Sequence, residues 1–210
     1  LTKVEDKARP AGDYVEREQR TGRRRSHRRC DIVSIAAVMY ERGFRIDDLM
    51  AAVVRRLRQD GLRMCGLVQE NPDGASGCAS MILVDVASRT RFGISQALGS
   101  CAHGCRLDPH GLVDAGARLE QALDANADLL VLNKFGKAET EEGRGLRGAL
   151  VRAVELEIPV LTAVRPPYDA AWADFHGGCA SALPPDMHAI LAWCVAATAA
   201  RRAEAAEVVP

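Results

Sequence analysis

Aromatic side chains are scarce in this sequence, 4% of residues, so any packed interior has to be built mainly from Ala, Val, Leu and Ile. Net charge is also missing. The 28 Lys and Arg balance 28 Asp and Glu, which removes an overall pull toward nucleic acid, a membrane surface or an acidic partner. No apolar run reaches the roughly 20 residues of a membrane-spanning helix, and the opening residues contain no apolar core of signal-peptide type. A cytoplasmic protein is expected. The seven cysteines are odd in number and lack the close, even spacing of a disulfide framework, so most are expected as small buried hydrophobes.

The zero net charge conceals an asymmetry. Residues 1–30 hold ten Lys and Arg against five Asp and Glu, about +5 for this tail and about −5 for the remainder. With so few apolar residues the tail cannot offset the entropy of ordering and is predicted to be disordered. Its run "RRRSHRR" reads as a solvated extension or as a contact for RNA, DNA or anionic lipid. Residues 31–210 are expected as a single domain, since about 100–200 residues suffice for one core.

Within that domain strands alternate with helices. "DIVSIAAVMY" is a short apolar run with β-branched residues, the pattern of a strand buried on both faces. "IDDLMAAVVRRLRQDG" predicts a helix, with Leu49, Val53 and Leu57 at four-residue spacing, Asp47 or Asp48 as N-cap and Gly61 as the stop. "LRMCGLVQE" reads as a second strand, and "CASMILVDVASRTRFGISQ" as two strands joined near "SRT". Asp108 followed by Pro109 marks a helix start. "DLLVLN" and "IPVLTAV" are strands separated by a helix in "TEEGRGLRGALVRAVELE", with Leu146, Leu150 and Val154 on one face. After "RPPYDAAWADFHGG", a loop and short helix, an Ala-rich helix closes the chain. The expected fold is α/β and three-layered, a mostly parallel sheet with a small β-hairpin insert. Ligands in such folds bind outside the carboxyl ends of the strands, which directs the search to residues 40–48, 69–78 and 133–145.

The first of these loops stands where a phosphate-binding loop would stand, but G-x-x-x-x-G-K-[ST] is absent. Arg45, Ile46 and Asp47 occupy the places of Gly, Lys and Ser/Thr, so the cation is missing and negative charge is added at the helix N-terminus. Arg42 and Arg45 are candidates to hold a smaller anion, or are solvated. Gln69 and Glu70 end the second strand on the same rim. The third loop, "NKFGKAE", begins like the Asn-Lys-x-Asp of guanine readers, yet Gly136 replaces the Asp that would accept from the base. Lys134, Lys137, Arg144 and Arg147 instead suggest an anion site, unless Glu139, Glu141 and Glu142 neutralise it in a salt-bridged helix start.

Residues 35–165 resemble the small P-loop nucleoside triphosphatases that include the cancer-related homologues. That family's Walker B loop reads D-E-[IL]-G-K-M-E, and here Asn133 and Lys134 stand where its Asp and Glu would be, while Gly136, Lys137 and Glu139 match. Residues 33–195 more closely resemble the bacterial family known as domain of unknown function 2478, through "GLVQE", "GCRLD", "NKFGKAE", "EGRGLR" and "IPVLTAV". The first resemblance implies a P-loop ancestry with degenerate Walker motifs. The second implies a link to molybdenum uptake or nitrogenase-related metabolism. A Walker B acid holds magnesium and its neighbour orients water, and both anionic functions are gone.

A non-hydrolysing binding protein for a small anion, such as molybdate, or a nucleotide is therefore expected, with Arg42, Arg45, Gln69, Asn133, Lys134, Gly136, Lys137, Glu139, Arg144 and Arg147 as its site. No cofactor can be named. Two other readings stand beside it. One is a divergent nucleoside triphosphatase using unfamiliar residues. The other is a metal-binding protein in which Cys101, His103 and Cys105, with His110 as a possible fourth donor, supply thiolate and imidazole for zinc or copper. C-x-H-x-C is not a standard zinc spacing, so a packed loop explains it equally.

Overall fold

A computed structural model describes residues 34–70, 81–95, 107–124, 126–141 and 145–207. The basic tail lies outside the described residues. The elements run β1 (Ile35–Met39), α1 (Ile46–Gln59), β2 (Met64–Glu70), β3 (Ile82–Asp85), β4 (Arg91–Gly93), α2 (Pro109–Ala122) and β5 (Leu129–Leu132). They continue with α3 (Lys137–Glu141), α4 (Arg147–Glu155), β6 (Val160–Val164), α5 (Asp169–His176), β7 (Ala180–Leu183) and α6 (Met187–Glu207).

The strands form one seven-stranded sheet in the order β4-β3-β2-β5-β6-β1-β7. From β2 to β7 every pairing is parallel, with Leu67 opposite Leu132 and Met39 opposite Val164. β3 and β4 join antiparallel and form the expected hairpin at one edge. Alternation of side chains along each strand divides the core. Ala37, Leu130, Leu132 and Val164 face α2, α4 and α5, while Val38, Val131 and Leu161 face α1 and α6. A central sheet covered on both sides by helices is the three-layer arrangement that nearly all-apolar parallel strands require.

Each helix shows why it lies where it does. α1 buries Ile46, Met50, Val53, Val54 and Leu57 along one stripe and turns its arginines outward. In α6, Ile190, Cys194 and Ala197 recur three and four residues apart and are buried. The start of β5 is tied down from two directions. Asp128, 2% exposed, accepts from the Arg63 backbone N–H at 2.8 Å and from guanidinium nitrogens of Arg63 at 3.1 Å and Arg202 at 2.9 Å. Arg202 thereby holds the far end of α6 against the sheet.

Several sequence expectations need correction. The N-cap of α1 is Arg45, with no side-chain cap, because Asp47 lies inside the first turn and is committed elsewhere. The single helix expected across residues 140–157 is two, α3 and α4, and between them Gly145 adopts a positive φ of 68°. Val154 does not share the buried face of Leu146 and Leu150; Ala149 and Ala153 do, and Val154 is exposed. β7 was unforeseen. Asp108 does cap α2, accepting from the His110 N–H at 3.0 Å. Of the cysteines, Cys65 and Cys194 are free and buried as expected, whereas Cys179 is disulfide-bonded.

Candidate functional site

β1 leads through α1 toward the hairpin edge, and β6 leads through α5 toward the opposite edge, with these helices on opposite faces of the sheet. Between two such strands a crevice opens at their carboxyl ends. A cavity of about 280 Å³ lies at this rim, reaching from Tyr40, Arg165 and Tyr168 to Gln69 and the 133–139 loop. Its floor is apolar, built by Leu83, Ile94, Leu112, Phe135 and Leu146.

One wall of the crevice is a polar cluster. Asn133 follows β5 directly and is 3% exposed, and its Nδ2 donates to Asp47 Oδ1 at 2.6 Å. Lys134 brings its ammonium to 2.7 Å from the same oxygen and donates to Gln69 Oε1 at 3.4 Å. Asp47 and Lys134 are 16% and 33% exposed, so this ion pair is shielded more than a surface pair. Asn133 Oδ1 is buried with no hydrogen-bond partner. The cluster links the start of α1, the end of β2 and the end of β5. Lys134 is therefore not an open cation awaiting an anion. Its charge is answered by Asp47.

The remaining cationic rim comes from β6. Arg165 lies over the Tyr168 ring at 5.7 Å and donates to the Pro166 carbonyl at 3.0 Å. Burial raises the Tyr40 phenol above its ordinary value, against the lowering influence of Arg165. Lys137 lines the opposite side and is exposed. The sequence reading did not select Tyr40 or Arg165. The available signal was their position, each the first residue beyond a buried parallel strand.

Glu139 ties the start of α3 to the residue before α4. Its carboxylate accepts from the Gly136 N–H at 2.9 Å and from the Leu146 N–H at 3.0 Å, bracing the turn from both ends while only 4% exposed. Both oxygens of this proposed ligand contact thus serve the backbone. Arg147 donates to the Glu139 carbonyl at 3.4 Å and lies over the Phe175 ring at 5.1 Å. Phe175 and Trp172 pack with Phe135, the Phe135 and Trp172 rings being 5.0 Å apart. Those two aromatics belong to the core, and Tyr168 alone of the "RPPYDAAWADF" rings lines the cavity.

Of the expected site residues, Gln69, Asn133, Lys134, Gly136, Lys137 and Glu139 converge on the cavity. Arg42, Arg45 and Arg147 do not line it. Arg42 and Arg45 are exposed, and Arg45 pairs with Asp48 in the first turn of α1. Arg144, Cys101, His103 and Cys105 lie outside the described residues, and His110 is exposed beside the cap of α2. Among the described residues no group of three or more His, Cys, Asp or Glu could hold a metal ion. Burial pushes the Cys65 and Cys194 thiols up to about 12, so neither is a thiolate nucleophile at neutral pH. No described helix is long and apolar enough to cross a membrane.

A family model described as "Protein of unknown function (DUF2478)" matches residues 35–193. The molybdenum import ATP-binding protein ModC 2 of Bradyrhizobium diazoefficiens is 39% identical over 160 residues, 76% of this chain and 18% of that protein. The chain thus spans less than a fifth of the relative it matches. The solution structure of a human cancer-related nucleoside triphosphatase superposes with a TM-score of 0.53 at 14% identity, covering 71% of this chain and 88% of that one. That likeness establishes the shared P-loop fold.

Proposed function

The chain belongs to the DUF2478 family, and we propose that it is a non-hydrolysing accessory protein whose rim cavity binds a nucleotide-sized anion. The observation that carries this reading is the Asp47–Lys134 ion pair beside Asn133. In a P-loop hydrolase these two segments supply a Ser/Thr and an Asp to hold magnesium, with a further group orienting water. Here a carboxylate stands at the helix start, an ammonium and an amide stand after β5, and the charges cancel. With the Lys134 ammonium in place the cluster therefore does not fit magnesium. The engagement of Asp47 by Lys134 and Asn133 supports a cluster that does not activate water.

The cavity supports binding. Its volume is close to the lower end of the about 300–1,000 Å³ range of small-molecule sites. A bare tetrahedral oxyanion would leave its apolar floor unfilled. A ring system over Leu83, Ile94 and Leu112 would fill it, with its anionic part turned toward Arg165 and Lys137. The ModC 2 relative is named for molybdenum import, and we place the ligand-binding role in the regulation of molybdenum uptake in the cytoplasm.

Calorimetric titration with ATP, ADP, GTP, molybdate, tungstate and sulfate tests the proposal, together with a phosphate-release assay. Heat with a nucleotide is expected, weakened about tenfold in Arg165→Ala, equivalent to about 1.4 kcal/mol. No phosphate release above buffer is expected. Heat with molybdate alone would overturn the nucleotide-sized ligand, heat with none of the six would overturn the binding site, and phosphate release by pure protein would restore the hydrolase reading.

A further inference from the structure

We propose that the Lys134 ammonium is a built-in cation that takes the place of a divalent metal in the cleft. Asp47, Asn133 and Gln69 then form a latent oxygen site that accepts a hard divalent ion once that ammonium is removed. Lys134 touches two oxygens in the cleft. Its Nζ lies 2.7 Å from Asp47 Oδ1 and 3.4 Å from Gln69 Oε1. These are one carboxylate and one amide oxygen, donors of the hard type that magnesium, manganese and calcium prefer. Asn133 adds a third. Its Nδ2 is engaged by Asp47, while Oδ1 is buried and without a hydrogen-bond partner.

Such an orphaned acceptor is uncommon in a well-packed interior. It is not satisfied by the ammonium, which turns to Asp47 and Gln69 instead. A metal in this cluster would meet Asp47 and Gln69, and a half-turn of the Asn133 amide, whose Nδ2 faces Asp47, would bring its oxygen to the same point, with water completing the shell. While Lys134 is present, a dication would stand beside a fixed positive charge and compete with it for Asp47 Oδ1. An ammonium carried by the chain needs no supply of metal. Ligands of the neighbouring cavity would then bind with the same affinity in magnesium and in chelator.

This inference rests on the non-hydrolytic reading of the cleft, and its test uses no organic ligand, so the two fail separately. Phosphate release overturns that reading. Manganese binding, followed by electron paramagnetic resonance and calorimetry on the full chain, decides this one. Wild type is expected to show no site tighter than the background left in Asp47→Asn. Lys134→Ala should bind manganese at least tenfold more tightly than wild type, and Asp47→Asn in that background should abolish the gain. Lys134→Met, which keeps the length of the side chain without its charge, is a second variant should Lys134→Ala not fold. A wild-type site lost in Asp47→Asn would overturn the proposal, as would folded Lys134 variants with unchanged manganese affinity.

Discussion

Replacing Asp128 by Ala tests how much of the fold depends on one carboxylate far from the cleft. The side chain is 2% exposed and accepts one backbone and several guanidinium N–H groups. Burial alone would raise its pKa, but hydrogen bonds from Arg202 and Arg63 hold the carboxyl well below the usual carboxylate range. A hydrogen bond to a charged group contributes about 1.5–3 kcal/mol, and a donor left without its acceptor costs about 1–3 kcal/mol. The two arginines are 66% and 57% exposed, so water rehydrates them when the carboxylate goes and part of the loss is recovered. About 2–4 kcal/mol remains, near the lower part of the range for breaking a buried pair. Urea unfolding at pH 7 should show the midpoint falling by about 1–2 M for a slope of about 2 kcal/mol per M. A loss under about 1 kcal/mol would refute the reasoning. The sign with pH is fixed by linkage. A depressed folded pKa gives stability present above the unfolded value of about 3.9 and lost as pH falls through the folded one. The difference between wild type and Asp128→Ala should therefore shrink on acidification below about pH 4.

Three further outcomes follow from other places in the fold. Gly66 sits mid-strand with φ 134°, and an added Cβ would overlap the Val131 backbone across the pairing, so Gly66→Ala should cost about 4 kcal/mol or more or prevent folding, read by circular dichroism and expression of folded protein. Glu139→Ala leaves the Gly136 and Leu146 N–H groups without their acceptor and should cost about 2–4 kcal/mol in the same unfolding assay, with raised hydrogen exchange confined to residues near 136–147. His176 Nδ1 accepts from the Gly178 and Ala180 N–H groups, and burial lowers its pKa. Its contribution is thus present above the unfolded value of about 6.5 and lost as pH falls toward the folded value. Melting temperature from pH 7.5 to 5 should drop more in wild type than in His176→Gln, and equal drops would refute the assignment.

Much of the fold was legible because it rests on local pattern. The apolar run Ile35–Met39, the Asp108–Pro109 helix start and the turn between β3 and β4 each carry their own signal. β7 did not. "ASAL" is short, half-exposed and made of small residues, and it becomes a strand only because β1 offers it a parallel partner. Helix periodicity also misplaced Val154, since two successive four-residue steps from Leu146 drift about 80° off the stripe, which mixed three- and four-residue steps follow through Ala149, Leu150 and Ala153. The cleft was legible as a location, through strand ends, and the Asn133 and Lys134 that follow β5 were legible as residue types. Which charges meet was not. Asp47 and Lys134 are 87 residues apart, and only the parallel sheet brings them to 2.7 Å. That contact is why a lysine read as an anion receptor is already partnered.

The same contact constrains how positions 47 and 134 can change. Replacing Lys134 with an acid would set two carboxylates against each other at Asp47. Replacing Asp47 with Ser or Thr would leave the ammonium with only the Gln69 amide among its two known oxygen partners. Either single substitution leaves a shielded charge unanswered and is less stable than the present pair. The pair therefore acts as a lock on two distant positions: neither residue can change its charge alone without leaving the other unanswered, so only coordinated substitution of both preserves the contact.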